Sequence, residues 1–349
     1  MTLQVFLNHL GFGLALFAIS VALTWAASRM VWVMDVPNQR SSHARPVPKA
    51  GGVAIVATFI AGLVTLYFVA DIAKIEDRHF WGFLACVALL ATVSFVDDVN
   101  QRSYFAKLAA QMLCAGAVIV AGLTVEKLWV PMLGQVPLGW LAYLVTFLWV
   151  VGLTNAYNFM DGLDGLAAGV AVIAGCFLGA IAFSQQSFFV YAVSYALVAS
   201  ALGFLVFNFP PARIFMGDAG STFFGFTFAA LAVIGAHLDL GHLSFYVVPM
   251  LLFQFIFDTF FTFMRRLARG EPVHLAHRMH LYQLLQRSGY SHRAVALFHY
   301  AVALAQGVGA LAIVKLEPQY RVLAFAPFLA FNSVYAWWTL ARARKAGLI

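Results

Sequence analysis

The sequence predicts an all-α membrane protein, in which about eleven transmembrane helices form one domain over residues 1–349. Of its residues, 63% are hydrophobic and 10% are charged, whereas a soluble domain is about half apolar and about one quarter charged. The apolar residues form blocks of about 20, the length of helix that crosses about 30 Å of hydrocarbon. Because the blocks are apolar on every face, they lack the alternation of a transmembrane β-barrel.

Short polar connections separate the apolar blocks. No Lys or Arg precedes Arg29, so the positively charged start of a signal peptide is absent, and we expect the first block to be a retained span. The ninth block contains Pro249, which we expect to kink its helix. The predicted spans run near residues 5–27, 51–70, 80–96, 105–124, 139–154, 165–183, 187–207, 220–236, 243–264, 294–314 and 321–341.

The basic residues predict the orientation of the bundle. Sixteen of the 21 Lys and Arg residues fall in alternate loops and the C-terminal tail, and five fall in the other loops. Because basic loops stay inside the cell, the first set is predicted to be cytoplasmic, with the N-terminus outside and the C-terminus inside. We therefore expect a multi-pass protein of the bacterial inner membrane. The formal charge of +7 is consistent with contact to anionic headgroups and does not call for a nucleic-acid partner.

The candidate chemistry lies in acidic, amide and histidine side chains. Cys86, Cys114 and Cys176 fall inside apolar blocks at unrelated spacings, as small core residues do, and give no case for a disulfide or a metal site. The other candidates all fall on the predicted cytoplasmic side, which favours a single site at that face. They are Asp97, Asp98, Asn155, Asn158, Asp161, Asp164, Asp218, His274, His277 and His280.

The first motif is the adjacent pair Asp97 and Asp98 at the end of the third span. Two neighbouring carboxylates repel each other, so they tend to bind a cation or to share a proton. The pair is consistent with a divalent-metal site or a general base, and equally with a helix end that water solvates.

The second motif spans residues 155–166, where Asn155, Asn158, Asp161 and Asp164 recur every three residues. A helix would place these side chains on one face, and the glycines that follow Asp161 and Asp164 would let a phosphate approach the backbone. A polar turn between two spans would need no such register. We therefore favour a ligand site over a plain turn.

The third motif spans residues 208–221, where two prolines end the seventh span and Gly217-Asp218-Ala-Gly-Ser221 leads into the eighth. Amides at a helix N-terminus bind anions, and Ser221 is a plausible cap. Asp218 beside an anion site suggests a metal that bridges carboxylate and phosphate, with the oxygen ligands that magnesium favours. The alternative is an ordinary capped turn.

The fourth motif is the loop near residues 265–293. If residues 273–286 are helical, His274, His277 and Arg278 share a face and His280 lies beside them, a set that suits a pyrophosphate better than a metal. The alternative is a basic amphipathic helix on anionic lipid. Asp258 lies inside the ninth span, where an ionisable residue is a functional candidate, here in a supporting role to the site or to nearby arginines.

Together and in this order, the segments resemble the polyprenyl-phosphate N-acetylhexosamine-1-phosphate transferases. The resemblance covers nearly the whole chain, and its most specific signals are the Asn/Asp/Gly segment and Met-Gly-Asp-x-Gly-Ser. It is carried by residues 35–43, Gly51-Gly52, Asp97-Asp98, 155–166, 208–221, Phe257-Asp258-Thr259 and the histidine loop.

The resemblance implies ten or eleven spans and a cytoplasmic active site that transfers a sugar 1-phosphate from a UDP-sugar to undecaprenyl phosphate, with Mg2+ (or Mn2+) and release of UMP. It also allows a homodimer. By position, Asp218 and Asp98 are the expected metal ligands. The expected catalytic residues are Asp97, Asp98, Asp161 and Asp164. The expected substrate contacts are Lys49, Asn155, Asn158, Ser221, His274, His277, Arg278 and His280.

One departure bears on the donor sugar. The family often reads Asp-Arg-x-His-x-His-His at the last motif, whereas this chain reads His277-Arg278-Met-His280-Leu-Tyr282-Gln283. The departure resembles the branch that initiates O-antigen synthesis, and the amino sugar stays open. Two rival functions are a secondary transporter, whose carboxylates would lie near the bilayer midplane, and a lipid phosphotransferase with one Asp-Gly-rich helix. Carboxylates at the ends of several helices argue against both.

Overall fold

A computed structural model describes residues 3–30, 33–37, 45–70, 75–100, 104–130, 132–237, 243–272 and 277–349. The described chain is almost entirely helical, as the sequence predicts. Its helices are α1 (Leu3–Ala27), α2 (Gly51–Val69), α3 (Asp77–Asn100), α4 (Tyr104–Val120), α5 (Leu141–Phe159), α6 (Leu166–Ser184), α7 (Phe188–Asn208), α8 (Gly217–His237), α9 (Val247–Leu251), α10 (Phe253–Ala268), α11 (Leu281–Arg287), α12 (His292–Lys315) and α13 (Ala326–Lys345).

Nine helical segments in the described ranges are long and apolar enough to cross a membrane. The fourth predicted span forms the 17-residue helix α4. The ninth is interrupted at Leu252, three residues after Pro249, so it consists of α9 and α10. The chain is therefore a multi-pass membrane protein, while the count of eleven spans and the orientation stay predictions.

Two short antiparallel strand pairs join the helices. β1 (Met34–Asp35) pairs with β2 (Val47–Pro48), and β3 (Lys127–Val130) pairs with β4 (Gly134–Pro137). The second pair forms a hairpin between α4 and α5, where the sequence had predicted only a loop. We call this end of the bundle the hairpin face, and the opposite end, where α3 and α5 finish and α8 begins, the carboxylate face.

Helix α8 lies at the centre of the bundle and packs against α2, α3, α5 and α7. Its side chains from Ala219 to Gly235 are buried, including four phenylalanines. The start of α8 touches α2 so closely that a Cβ atom on Gly52 would collide with the backbone of Gly220. This packing, together with a hydrogen bond from Gly52 N to Met216 O of 2.8 Å, fixes the start of α8 beside Lys49.

Two predicted helical segments are shorter than expected. Helix α5 ends at Phe159, so Asp161 and Asp164 lie in a turn that Gly165 closes with a φ of +72°. Residues 277–280 are not helical, and α11 begins only at Leu281. The predicted common face therefore holds for Asn155 and Asn158 but not for Asp161 and Asp164, and the predicted helix over residues 273–286 is wrong at residues 277–280. His274 lies outside the described residues.

Candidate active site

Four aspartate side chains lie near one another at the carboxylate face and come from three places in the chain. We call these four side chains together the carboxylate group. Asp97 and Asp98 lie in the last turn of α3, Asp161 follows α5, and Asp218 lies in the first turn of α8. Asp218 and Asp98 lie close enough to Asp161 for their charges to raise its pKa. The structure thus brings together residues that are separated by up to 121 positions, as the sequence predicted.

Two lysines neutralise this group of carboxylates. Lys107 of α4 lies between α3 and α8, 2.9 Å from Asp97 Oδ2 and also paired with Asp218. Lys49, which precedes α2, lies 3.3 Å from Asp98 Oδ1. The two lysines, Asp97 and Asp98 are largely buried and Asp218 is half-buried, so water screens these ion pairs poorly.

Asp98 also holds the start of α8. Its Oδ2 accepts the amide N–H of Asp218 at 2.8 Å, which satisfies one of the free donors at a helix N-terminus. Gly217 makes this approach possible, because its φ is +64° and a Cβ atom there would collide with Asp98. An acidic side chain of the protein therefore occupies part of the anion site that the sequence predicted for a ligand.

Asn158 ties α5 to α8. Its amide nitrogen donates to Asp218 Oδ1 at 3.1 Å and to Ser221 Oγ at 2.8 Å. Ser221 is buried in the second turn of α8, and its hydroxyl donates to Gly217 O at 3.1 Å. The prediction that Ser221 caps the helix is therefore wrong. Ser221 instead positions the side chain of Asn158.

Asn155 lies one helical turn away from Asn158 and deeper in the bundle. Its amide nitrogen donates to Gln111 Oε1 of α4 at 2.6 Å and to Val151 O at 2.8 Å. Asn155 also lines the large cavity described below. Its predicted substrate contact stays a prediction.

The environment of Asp161 favours its protonated form. Burial, followed by the charges of Asp218 and Asp98, raises its pKa well above the ordinary value for an aspartate. A cation bound among these carboxylates would have the opposite effect. The site therefore concentrates more negative charge than its own lysines fully offset.

Asp164 does not join this group. Its Oδ1 lies 3.1 Å from His292 Nδ1, and its Oδ2 accepts the amide N–H of Ala212 at 3.0 Å. Burial opposes ionisation, but the close contact with His292 and the hydrogen bond from Ala212 outweigh it and lower the pKa of Asp164. Asp164 thus anchors the 209–216 segment to the start of α12, and its predicted catalytic role stays a prediction.

The histidine loop is held by Asp258 of α10. Asp258 Oδ1 accepts from His280 Nδ1 at 3.1 Å and from Leu281 N at 2.9 Å, and Oδ2 accepts from Tyr282 N at 3.1 Å. The carboxylate thereby caps α11 and starts it at Leu281. The sequence left open whether Asp258 supports the site or the nearby arginines. Its contacts favour support of the site, because they hold the histidine loop.

His277 and Arg278, the other predicted contacts of the loop that the structure describes, are more exposed than His280. The ring of His277 stacks on that of His280, with 5.0 Å between centroids, and burial together with the neighbouring charges lowers the pKa of His277 to about 4. Burial and Arg287 lower the pKa of Arg278. His274, a fourth predicted contact, lies outside the described residues. The imidazole of His277 is therefore neutral near pH 7.

A cavity of about 830 Å³ adjoins the carboxylate group between α4, α5 and α10. Its polar lining includes Lys107, Asn158 and His280, while most of its surface is apolar. Leu148, Phe260 and Phe263 line it and are 59%, 64% and 45% exposed, so its apolar wall is open and not sealed inside the bundle. A cavity with these walls suits a ligand with a charged head and a hydrocarbon chain.

The carboxylate group suits a hard cation by its chemistry. Its donors are carboxylate and amide oxygens, which Mg2+ prefers, and Asp97 Oδ1 is buried without a hydrogen-bond partner. Within the described ranges, no three acidic, histidine or cysteine side chains converge as a ready-made ion site, and the ammonium of Lys107 lies between two of the carboxylates. The donors suit the ion by their chemistry, and the ion would share the carboxylates with the lysine.

Sequence reasoning did not single out Lys107, Gln111 or His292. Lys107 and Gln111 are four residues apart on α4, and both face the site. The signal in the sequence that could have identified this face of α4 is the single lysine inside an apolar block. His292 is the first residue of α12, and nothing in its neighbours marks it as the partner of Asp164.

Comparison with known proteins identifies the family of this chain. Residues 80–236 match the model of glycosyl transferase family 4. The chain is 33% identical to a probable undecaprenyl-phosphate N-acetylglucosaminyl 1-phosphate transferase of Bacillus subtilis over 81% of this chain and 78% of the relative. It is 28% identical to an undecaprenyl-phosphate alpha-N-acetylglucosaminyl 1-phosphate transferase of Yersinia pestis over 94% and 92% of the two chains.

A third relative extends the range of lipids. The decaprenyl-phosphate N-acetylglucosaminephosphotransferase of Mycobacterium leprae is 28% identical over 88% of this chain and 85% of the relative.

The segment that matches the family model runs from the start of α3 to the end of α8, and so contains Asp97, Asp98, Asp161 and Asp218. The chain belongs to glycosyl transferase family 4, as a member of the polyprenyl-phosphate N-acetylhexosamine-1-phosphate transferases.

Proposed function

We propose that this protein transfers an N-acetylhexosamine 1-phosphate from a UDP-sugar to undecaprenyl phosphate and releases UMP. We further propose that it does so at the cytoplasmic face of a bacterial inner membrane, as the first step of an O-antigen or a related surface polysaccharide. The relatives named above transfer, by their names, N-acetylglucosamine 1-phosphate to undecaprenyl or decaprenyl phosphate.

The observation that carries the proposal is the union of the carboxylate group with the apolar cavity. Lys107 belongs to both, because it pairs with Asp97 and Asp218 and also lines the cavity. A prenyl phosphate placed there would have its phosphate beside the lysine and its chain along Leu148, Phe260 and Phe263. A secondary transporter would not need an open apolar wall beside its charged groups.

The reaction joins two anions, since a phosphate oxygen attacks a phosphorus of a pyrophosphate. Lys49 and Lys107 would reduce this repulsion, and holding both substrates in one site would lower the entropic barrier. Asp97, whose Oδ1 has no hydrogen-bond partner, would accept the proton of the acceptor phosphate. The oxygen of the acceptor phosphate then forms a bond to the phosphorus that carries the sugar, as the bond from that phosphorus to UMP breaks. A covalent aspartyl-phosphate is the alternative route.

We propose Mg2+ as the cofactor, with Asp218 and Asp98 as its ligands. When bound, the ion would neutralise charge on the pyrophosphate and polarise its phosphorus–oxygen bonds. Asn158 would orient Asp218, to which it donates a hydrogen bond. His277 and His280, which line the cavity, would bind the donor together with Arg278 of the same loop.

The test is transfer from a panel of radiolabelled UDP-N-acetyl amino sugars to undecaprenyl phosphate by the purified protein. We expect label in the lipid extract with one or more donors, only when Mg2+ or Mn2+ is present, and equimolar UMP. A short water-soluble prenyl phosphate serves as the control for the cavity and should be a poorer acceptor. No lipid-linked label with any donor would refute the proposal, and label trapped on the protein without acceptor would favour the covalent route.

A further inference from the structure

Asp258 is a buried carboxylate with four hydrogen-bond donors around it. It is 0% exposed, and besides His280, Leu281 and Tyr282 it accepts from the hydroxyl of Thr262 at 3.1 Å. An isolated buried carboxylate would be costly, and this network offsets the cost. Because three of the four donors belong to the histidine loop, the carboxylate holds the loop to α10.

The same contacts determine which nitrogen of His280 remains available. An ionised carboxylate only accepts hydrogen bonds, so His280 Nδ1 carries the proton that faces Asp258. The ring is further fixed between its neighbours, because it stacks on His277 and lies 6.0 Å from Phe159 between centroids. His280 also lines the cavity, which leaves Nε2 as the nitrogen that a ligand there can reach.

We infer that Asp258 is a positioning residue of the transfer reaction, which acts by fixing the ring of His280 so that a second N–H, on Nε2, donates to an anionic group of the substrate in the cavity. This inference rests on the proposed function. The other titratable groups beside this ring are His277 and Tyr282, and the charges of Arg265, Arg266 and Glu271 act on the neighbouring His277. Asp258 differs from these in that it bonds both the His280 ring and the loop backbone.

The inference predicts different effects for two substitutions. In His280→Asn, the amide nitrogen can take the place of Nδ1 against Asp258, but nothing replaces Nε2. We expect the thermal midpoint of this variant in detergent to stay close to that of the wild type, while kcat falls. In Asp258→Asn, an amide replaces the carboxylate, and we expect kcat to fall about 10–100-fold, as when the orienting partner of a functional histidine is lost. Thr262→Val removes another bond to the same carboxylate and should retain most activity.

The double variant Asp258→Asn, His280→Asn decides whether the two residues act together. If Asp258 acts through His280, the double variant is no slower than His280→Asn alone. If the two losses multiply, Asp258 has a separate role and the inference is wrong. Should Asp258→Asn fail to fold, His280→Asn still tests the idea, because full activity in that folded variant would refute it.

A spectroscopic readout does not depend on turnover. In 15N-histidine-labelled wild-type protein, the proton on His280 Nδ1 should resonate far downfield, as expected for a donor to a carboxylate, and should move upfield in Asp258→Asn. An unchanged resonance would overturn the inference. Since this signal requires no substrate, it separates failure of the positioning role from failure of the proposed function, which the wild-type transfer assay reports.

Discussion

The two ends of α3 carry carboxylates in opposite environments. At the carboxylate face, the side chains of Asp97 and Asp98 are 13% and 8% exposed and pair with lysines from other segments. At the hairpin face, Asp77 is exposed and accepts from Tyr67, and the neighbouring Glu76 and Arg78 side chains are 63% and 75% exposed. The same residue types are therefore dry and paired across helices at one end, and solvated and paired locally at the other.

This difference locates the chemistry better than charge alone. Exposed ion pairs between near neighbours contribute about 0–1 kcal/mol and need no function to explain them. Buried carboxylates that face one another destabilise the folded protein when they are ionised. Asp161 shows this effect, because burial and the charges of Asp218 and Asp98 raise its pKa. Such an arrangement is typical of a site that binds a cation or an anionic substrate.

The largest effect is expected at Asp218, with Asp77 as the matched control. Asp218→Asn removes a charge that faces Lys107 and a proposed metal ligand, so we expect transfer to fall at least about 1,000-fold, which corresponds to about 4 kcal/mol of barrier. Asp77→Asn should leave transfer unchanged. Both are measured by radiolabelled lipid formation in purified protein, with gel filtration to show that each variant is folded. Retained activity in Asp218→Asn would remove Asp218 from the site.

A smaller effect is expected at Lys107, compared with the exposed Lys127 of the hairpin face. Lys107→Met leaves Asp97 and Asp218 without their shared cation. We expect transfer to fall about 100-fold and the thermal midpoint to drop, because a buried pair that loses one partner keeps an uncompensated charge. Added Mg2+ should recover part of the lost stability. Lys127→Met should change neither quantity, and equal behaviour of the two variants would erase the contrast between the faces.

The smallest effect is expected at Asp164, which lies near the carboxylate group but pairs with His292. Because the folded state lowers its pKa, ionised Asp164 stabilises the protein above the unfolded value of about 3.9, and this contribution is lost as the pH falls through the folded pKa. Asp164→Asn should therefore lower the thermal midpoint at pH 7 by a few degrees, and the gap to the wild type should close toward pH 3. Transfer should fall far less than in Asp218→Asn. A loss as large as that of Asp218→Asn would restore Asp164 to the catalytic group.

Much of the site could be predicted from sequence because its residues sit at the ends of apolar blocks. A helix that crosses the bilayer must place its two ends at opposite faces, so the positions of Asp97, Asp98, Asp161 and Asp218 relative to the blocks predicted their meeting. Predictions that depended on local helix geometry were weaker. Ser221 was expected to cap α8, but its hydroxyl bonds inside the helix, and the amide of Asp218 is capped by Asp98 from α3.

The sequence by itself determined that this protein is a helical membrane protein with its candidate chemistry at one face, because the lengths of the apolar blocks and the polar residues at their ends can be read from the order of residues alone. Only the tertiary structure decided the partners: Lys107 between Asp97 and Asp218, His292 on Asp164, and Asp258 under His280. Each pair joins different helices, and its contact depends on how those helices rotate and pack. That choice rests on many small van der Waals contacts summed over the whole bundle, which no single stretch of sequence encodes.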